Sequence, residues 1–276
     1  MIDFQKLYNK FVDEWIEKNA DKYNTEEEIA QAVWDVYEDW LNTPFEELGG
    51  LTPKEYFAQI QDPKALVDML VDYVSGKKDV PGALLDRIAE VQDAAPYLME
   101  IVKREKNDEL TMYAINLLNE LGSPEPFDIY INWIFDPNMT KDLRDIAAEV
   151  LSGNALTVKD KILNRLAGAD FSAKEYASDI LVKCPKDDRI FELLKELFLS
   201  QTNYQLYANY LGQYGDERAI EFLLEAAKTC DYISFIEIRN AVEELGGEFN
   251  IERDFSQDED YQKIKSESLK AKKSGH

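Results

Sequence analysis

The chain has 276 residues, 45% of them hydrophobic and 31% charged, with 12 glycines and 9 prolines. That composition excludes disordered and fibrous classes and leaves enough apolar side chain for a sizeable core, in one elongated unit or two domains. The formal net charge of −24 repels phosphate backbones and anionic headgroups, so nucleic acid and membrane surfaces are excluded as partners unless a local basic patch exists.

The nearest approach to such a patch is Lys263, Lys265, Lys270, Lys272 and Lys273, interleaved with Glu267 and preceded by Asp258, Glu259 and Asp260. It reads as a solvated helix. No run of apolar residues is long enough to span a bilayer. The amphipathic, acidic opening MIDFQKLYNKFVDEW lacks the basic and apolar regions of a signal peptide. Cys184 and Cys230, the only cysteines, have no CxxC spacing, which fits buried thiols in a reducing cytoplasm. The single histidine, His276, stands in a Ser-Gly-His tail that reads as an appended end, so the folded part is expected to hold none.

In chain order, Phe4, Leu7, Tyr8, Phe11, Val12 and Trp15 recur at three and four residues and predict a helix over 3–19. Thr25 with Glu28 forms a capping-box pattern that opens a second helix, striped by Ile29, Ala32, Val33, Val36, Tyr37 and Trp40. Gly49-Gly50 marks a stop, and Thr52-Pro53-Lys54-Glu55 restarts a helix at once; Asp62-Pro63 repeats the device before 65–74. A less regular hairpin follows from Pro81 to Lys106, with Leu98, Met99 and Val102 as its second stripe.

From about residue 80 a period of about 30–32 residues governs the pattern. First helices are predicted to begin near Asp108, Thr140, Phe171, Thr202 and Ile233. Each carries an inner contact residue (Ala114, Ala147, Ala177, Tyr207, Ile238) and, four residues on, an apolar anchor (Leu118, Leu151, Leu181, Leu211, Val242). Breaks come at Gly122-Ser123-Pro124, Gly153-Asn154, Cys184-Pro185, Gly215-Asp216 and Gly246-Gly247. Second helices then carry Phe127, Tyr130, Ile131 and Ile134; Ile162, Leu163 and Leu166; Ile190, Leu193, Leu194 and Leu197; and Ile220, Leu223, Leu224 and Ala227. A hairpin of this size cannot bury its apolar face alone, so copies are expected to stack. Ser256 with Glu259 is read as the cap of one last helix, with Tyr261 and Ile264 turned inward and a disordered tail past Leu269.

Leu211, Gly212, Gly215, Asp216, Ala219, Ile220 and Leu223 spell an LG-xx-GD-xx-AI-xx-L pattern. It resembles the HEAT-like repeat first noted in phycobilisome lyases, with Asp216 as the N-cap of the second helix. The resemblance spans roughly residues 80–247. It implies an all-α fold, an α-solenoid of about five hairpins, and protein binding rather than a particular activity. The expected organisation is an N-terminal helical region at 1–76, a solenoid at 77–247, and a capping helix with tail at 248–276.

No residue of the sequence carries a catalytic, cofactor-binding or metal-ligating signature. Hydrolases need a base beside the nucleophile, and two distant cysteines cannot complete a zinc site. Ser75-Gly76-Lys77-Lys78 has Val71 where a phosphate loop needs its first glycine. Acidic runs such as Glu26-Glu27-Glu28 sit at helix starts, where the macrodipole favours them. Among enzymes of HEAT-like fold, di-iron hydroxylases need His-Glu pairs and DNA glycosylases a basic concave face; this sequence offers neither.

The candidate partner-binding residues lie one step past the second-helix stripes. They are Asp128, Asn132, Trp133, Asp160, Asn164, Phe191, Lys195, Glu221 and Glu225, with Glu100, Lys103 and Lys228 beside them. Phe191, Trp133 and Phe198 are read as outward-looking aromatics, with inter-repeat packing the competing reading for the last two. Tyr204, Tyr207, Tyr210 and Tyr214 are read as core residues whose hydroxyls reach the edge. The leading functional expectation is a non-catalytic, cytoplasmic scaffold for a protein or peptide. The alternative is an acidic, immunity- or antitoxin-like inhibitor of a basic partner, since the chain through position 75 holds 17 acidic and 6 basic residues. An enzyme of unrecognised type is the third reading.

Overall fold

The structure is a computed structural model that describes residues 2–274, apart from 20, 21, 23, 24 and 105; the side chains at 26, 27, 29–31, 33–35 and 268–274 also fall outside the description. Ile29 and Val33 of the second stripe, Lys270, Lys272 and Lys273 of the tail, and His276 therefore lie outside the described residues. Among those described there are helices and one isolated antiparallel bridge between Phe45 and Leu51. Among the described residues no helix is long and apolar enough to cross a membrane.

The helices are α1 (Phe4–Asn19), α2 (Glu26–Leu41), α3 (Pro53–Ala58), α4 (Pro63–Ser75), α5 (Gly82–Ala89), α6 (Ala95–Arg104) and α7 (Asp108–Glu120). There follow α8 (Phe127–Ile134), α9 (Lys141–Gly153), α10 (Ala155–Leu163), α11 (Phe171–Leu181), α12 (Asp188–Leu199), α13 (Tyr204–Tyr214), α14 (Ile220–Ala227), α15 (Tyr232–Glu244) and α16 (Glu259–Ser274). Two compact units divide the chain, Met1–Pro126 and Phe127–His276.

The first unit is nucleated by aromatics. Phe4 lies against Phe57 at 4.9 Å and Trp40 at 6.4 Å between ring centroids, and Tyr8 meets Trp40 edge-on at 5.2 Å. Such pairs contribute beyond their buried area. The predicted starts hold in detail. Thr25 accepts from the Glu28 N–H at 3.1 Å. Thr52 and Glu55 form a full capping box, with bonds of 3.1 and 3.0 Å satisfying two otherwise orphaned donors. Asp62 caps α4 through the Lys64 N–H, and the buried Tyr73 hydroxyl donates to the Ile2 carbonyl at 2.8 Å. Helix α4 packs on α5, α6 and α7, and α3 on α5, so the helices before residue 76 share a core with those that follow.

In the second unit α8, α9, α10 and α11 pack on one another, α11 and α13 flank α12, and α15 packs on α13 and α14. The predicted inner contacts and anchors are all 0% exposed: Ala114, Ala147, Ala177, Tyr207 and Ile238, then Leu118, Leu151, Leu181, Leu211 and Val242. Each large apolar side chain so buried contributes about 1.5–3 kcal/mol. Gly215 ends α13 at a φ of 76°, a left-handed conformation that glycine adopts without strain, and Asp216 opens the next turn by accepting from the Arg218 N–H at 3.1 Å.

Three expectations are corrected at the C-terminal side. Of the α14 stripe only Leu223 and Ala227 are buried; Ile220 and Leu224 are half-buried. The cap of α16 is Asp258, which accepts from the Tyr261 N–H at 3.0 Å, while Ser256 bonds to Asp254. Tyr261 does turn inward onto Tyr232 (4.9 Å), but Ile264 is exposed. Helix α16 runs to Ser274.

Candidate functional site

The second unit carries two series of polar side-chain bonds between helices. On one side, Lys161 of α10 reaches Asp128 of α8 (2.6 Å) and Arg165 reaches Asn132; Arg189 of α12 reaches Asp160 of α10 (2.9 Å); Arg218, just before α14, reaches Asp188 of α12 (2.8 Å). The partners are 33, 33, 29 and 30 residues apart. On the other side, tyrosine hydroxyls donate to carboxylates of the preceding odd-numbered helix: Tyr176 to Asp145 (2.6 Å), Tyr207 to Glu175 (2.7 Å) and Tyr210 to Asp179 (2.9 Å).

These bonds decide where the candidate residues sit. Asp128, Asn132 and Asp160 are exposed as expected, but each is already bonded to a cation from the next even-numbered helix. Asn164 is exposed, and Trp133 is half-buried against Tyr130 at 5.6 Å. Phe191 and Phe198 do not look outward. Phe191 is 3% exposed and Phe198 fully buried, because the apolar face of α12 is wider than one stripe: Ile190, Phe191, Leu193, Leu194, Leu197 and Phe198 are all covered. What covers Phe191 is the Arg218 guanidinium, 4.1 Å from the ring centroid. The tyrosines of α13 follow expectation: Tyr207 and Tyr214 are buried, and the Tyr214 hydroxyl donates to the Asp187 carbonyl at 3.0 Å.

Four candidates do converge. Phe191, Lys195, Glu221 and Glu225, with Glu192, Arg218 and Phe222, line an open groove of about 500 Å³ between α12 and α14. Its exposed apolar element is the half-buried Phe222, held against Phe198 at 5.6 Å and Phe191 at 6.3 Å. Arg218 is fixed by Asp216 (2.7 Å) and Asp188 (2.8 Å), Lys195 stands 3.7 Å from Glu192, and Glu225 pairs with Lys228. Glu221 has no ion pair among the described residues.

Sequence reading missed the arginines. Arg189 and Arg218 each follow an N-capping aspartate by two positions (Asp187, Asp216), fold back on it, and then reach one helix further. The signal was an Asp-x-Arg recurring at 187–189 and 216–218. Hydrogen bonds from the Arg189 and Lys159 side chains hold the Asp187 carboxyl well below the ordinary carboxylate range, and Arg218 does the same for Asp216. Cys184 and Cys230 are free, buried thiols whose pKa values burial pushes up, the opposite of an activated nucleophile. Among the described residues no three His, Cys, Asp or Glu side chains gather as metal ligands would. Compared with protein-family models and with curated proteins, the chain matches neither.

Proposed function

We propose that residues 127–247 stack as HEAT-like helical hairpins, and that the protein is a non-catalytic cytoplasmic scaffold that holds a protein or peptide along α8, α10, α12 and α14. The observation that carries this reading is the groove between α12 and α14. There the ridge offers an aromatic surface, Phe222, held against two buried rings, while Asp128 and Asn132 of α8 and Asp160 of α10 are occupied by neighbouring cations. A rigid ring in a partly desolvated groove is the usual centre of a protein interface. Bonds recurring between side chains 29–33 residues apart support the stacking, as one hairpin's face is covered only by its neighbour.

Photo-crosslinking residues placed singly at Phe222, Lys195 and Gln213 of the full chain test the reading. Adducts with one partner are expected at 222 and 195 and not at 213, which is exposed on α13. Equal labelling at 213, or none at 222, overturns it.

A second reading has its own support, the 17 acidic against 6 basic residues through position 75. An inhibitor that masks a basic partner by charge binds steeply less well as salt rises, because exposed charges are screened over about 10 Å at 0.1 M. Binding anchored on Phe222 changes little over the same range.

A further inference from the structure

We infer that the groove between α12 and α14 takes a cationic side chain, arginine above lysine, carried on an apolar-flanked segment of a partner protein. The inference rests on the ridge reading and adds to it the chemistry of the occupant.

The argument starts from how the chain uses its own cations. Asp128 receives Lys161, Asn132 receives Arg165, Asp160 receives Arg189 and Asp188 receives Arg218, each cation coming from one even-numbered helix later. Two of the three guanidiniums also lie on rings: Arg165 is 5.0 Å from the centroid of Phe135, and Arg218 is 4.1 Å from that of Phe191. Helix α14 is the last of the series, since the chain passes to α15 and then α16. Glu225 has Lys228 as its donor, but Glu217, which stands in the position after Asp216 as Asp188 does after Asp187, and Glu221 one turn on are exposed and have no ion pair among the described residues. Of these two, Glu221 lines the groove, together with Phe222, which is half-buried and fixed by two buried rings. A ring and a carboxylate are in place without an arginine on them: Arg253, which follows α15, lies instead on Phe255 at 4.6 Å and donates to the Ala227 and Cys230 carbonyls.

Charge selects the same occupant. Glu192, Glu221 and Glu225 line the groove with Lys195 and Arg218; Arg218 is already neutralised by Asp188 and Asp216, Lys195 stands by Glu192 and Glu225 by Lys228, which leaves Glu221. The space between α12 and α14 is therefore net negative. An incoming guanidinium can pair with Glu221 while its plane stacks on Phe222. An anionic or neutral polar segment gains neither contact.

The test uses the full chain and three fluorescent peptides of one length and apolar content (Leu and Phe), whose remaining positions are arginine, glutamine or glutamate. Anisotropy titrations are expected to show binding of the arginine peptide, about tenfold weaker binding of the glutamine peptide, and none of the glutamate peptide, as loss of a charge pair with its stacking contact would give. Glu221→Lys and Glu221→Gln should each weaken the arginine peptide with unchanged circular dichroism, and Phe222→Ala should weaken the arginine and glutamine peptides alike. Equal binding of the arginine and glutamine peptides, with Phe222→Ala weakening both, overturns the cation while the ridge reading stands. Arginine-peptide binding untouched by Glu221→Lys and Phe222→Ala overturns the groove as its site. Failure of all three peptides overturns the cation; if residue 222 then also crosslinks nothing, the ridge reading falls with it.

Discussion

At the residue scale the polar side chains of the second unit act in pairs, and one pair makes a sharp titration. The Tyr176 pKa is pushed up to about 12, first by burial and then by its hydrogen bond to Asp145. An unfolded chain ionises the phenol near its ordinary value of about 10, while the folded chain keeps the proton. The stabilisation is thus fully present below pH about 10 and is lost as pH rises to about 12. Tyr176→Phe should lower the urea midpoint slightly at neutral pH, by about 0.5–1.5 kcal/mol. It should also make the fall in stability between these pH values shallower than in the parent. An unchanged alkaline slope would show that Asp145 does not hold this phenol. The cluster at Asp187 has the opposite sign: a depressed carboxyl contributes above the ordinary carboxylate range and fails on acidification.

At the scale of helices, burial rather than pattern sets the cost of a substitution. Leu223 and Leu224 are adjacent and looked equivalent in the α14 stripe, yet Leu223 is 0% exposed and Leu224 half-buried. Leu223→Asp should lower stability by more than about 4 kcal/mol, since it deletes core volume and buries a charge. Leu224→Asp should cost markedly less, because its carboxylate can turn to water. Thermal unfolding followed by circular dichroism checks the order, and equal losses would refute it. The start of each predicted first helix was legible within two residues, from Asp108 to α15 at Tyr232, because N-capping side chains and the inner contact residues are local signals. The width of a helix's apolar face was not. Phe191 looked outward from spacing alone and Phe198 could be read either way, and only the approach of Arg218, Phe222 and Tyr204 covers them.

For the whole molecule, charge sets the solution behaviour. With 55 acidic and 31 basic residues, folding brings an excess of like charge together, and that self-repulsion opposes the compact state. The bonded pairs of the ridge are exposed, and each contributes little. Screening therefore relieves more repulsion than it removes attraction, and the melting temperature should rise on going from low to moderate salt. A falling melting temperature in calorimetry would mean that the interhelix pairs outweigh the net charge.

The sequence by itself determined that the chain is helical, where most helices begin, and which side chains fill the core, since these follow from caps, breaks and apolar spacing along a few turns. Only the tertiary structure decided that the carboxylates of α8, α10 and α12 are matched by cations and that Glu221 beside Phe222 is not. The matching joins side chains 29–33 residues apart, and no local spacing determines which cation from a neighbouring helix will arrive at which acid.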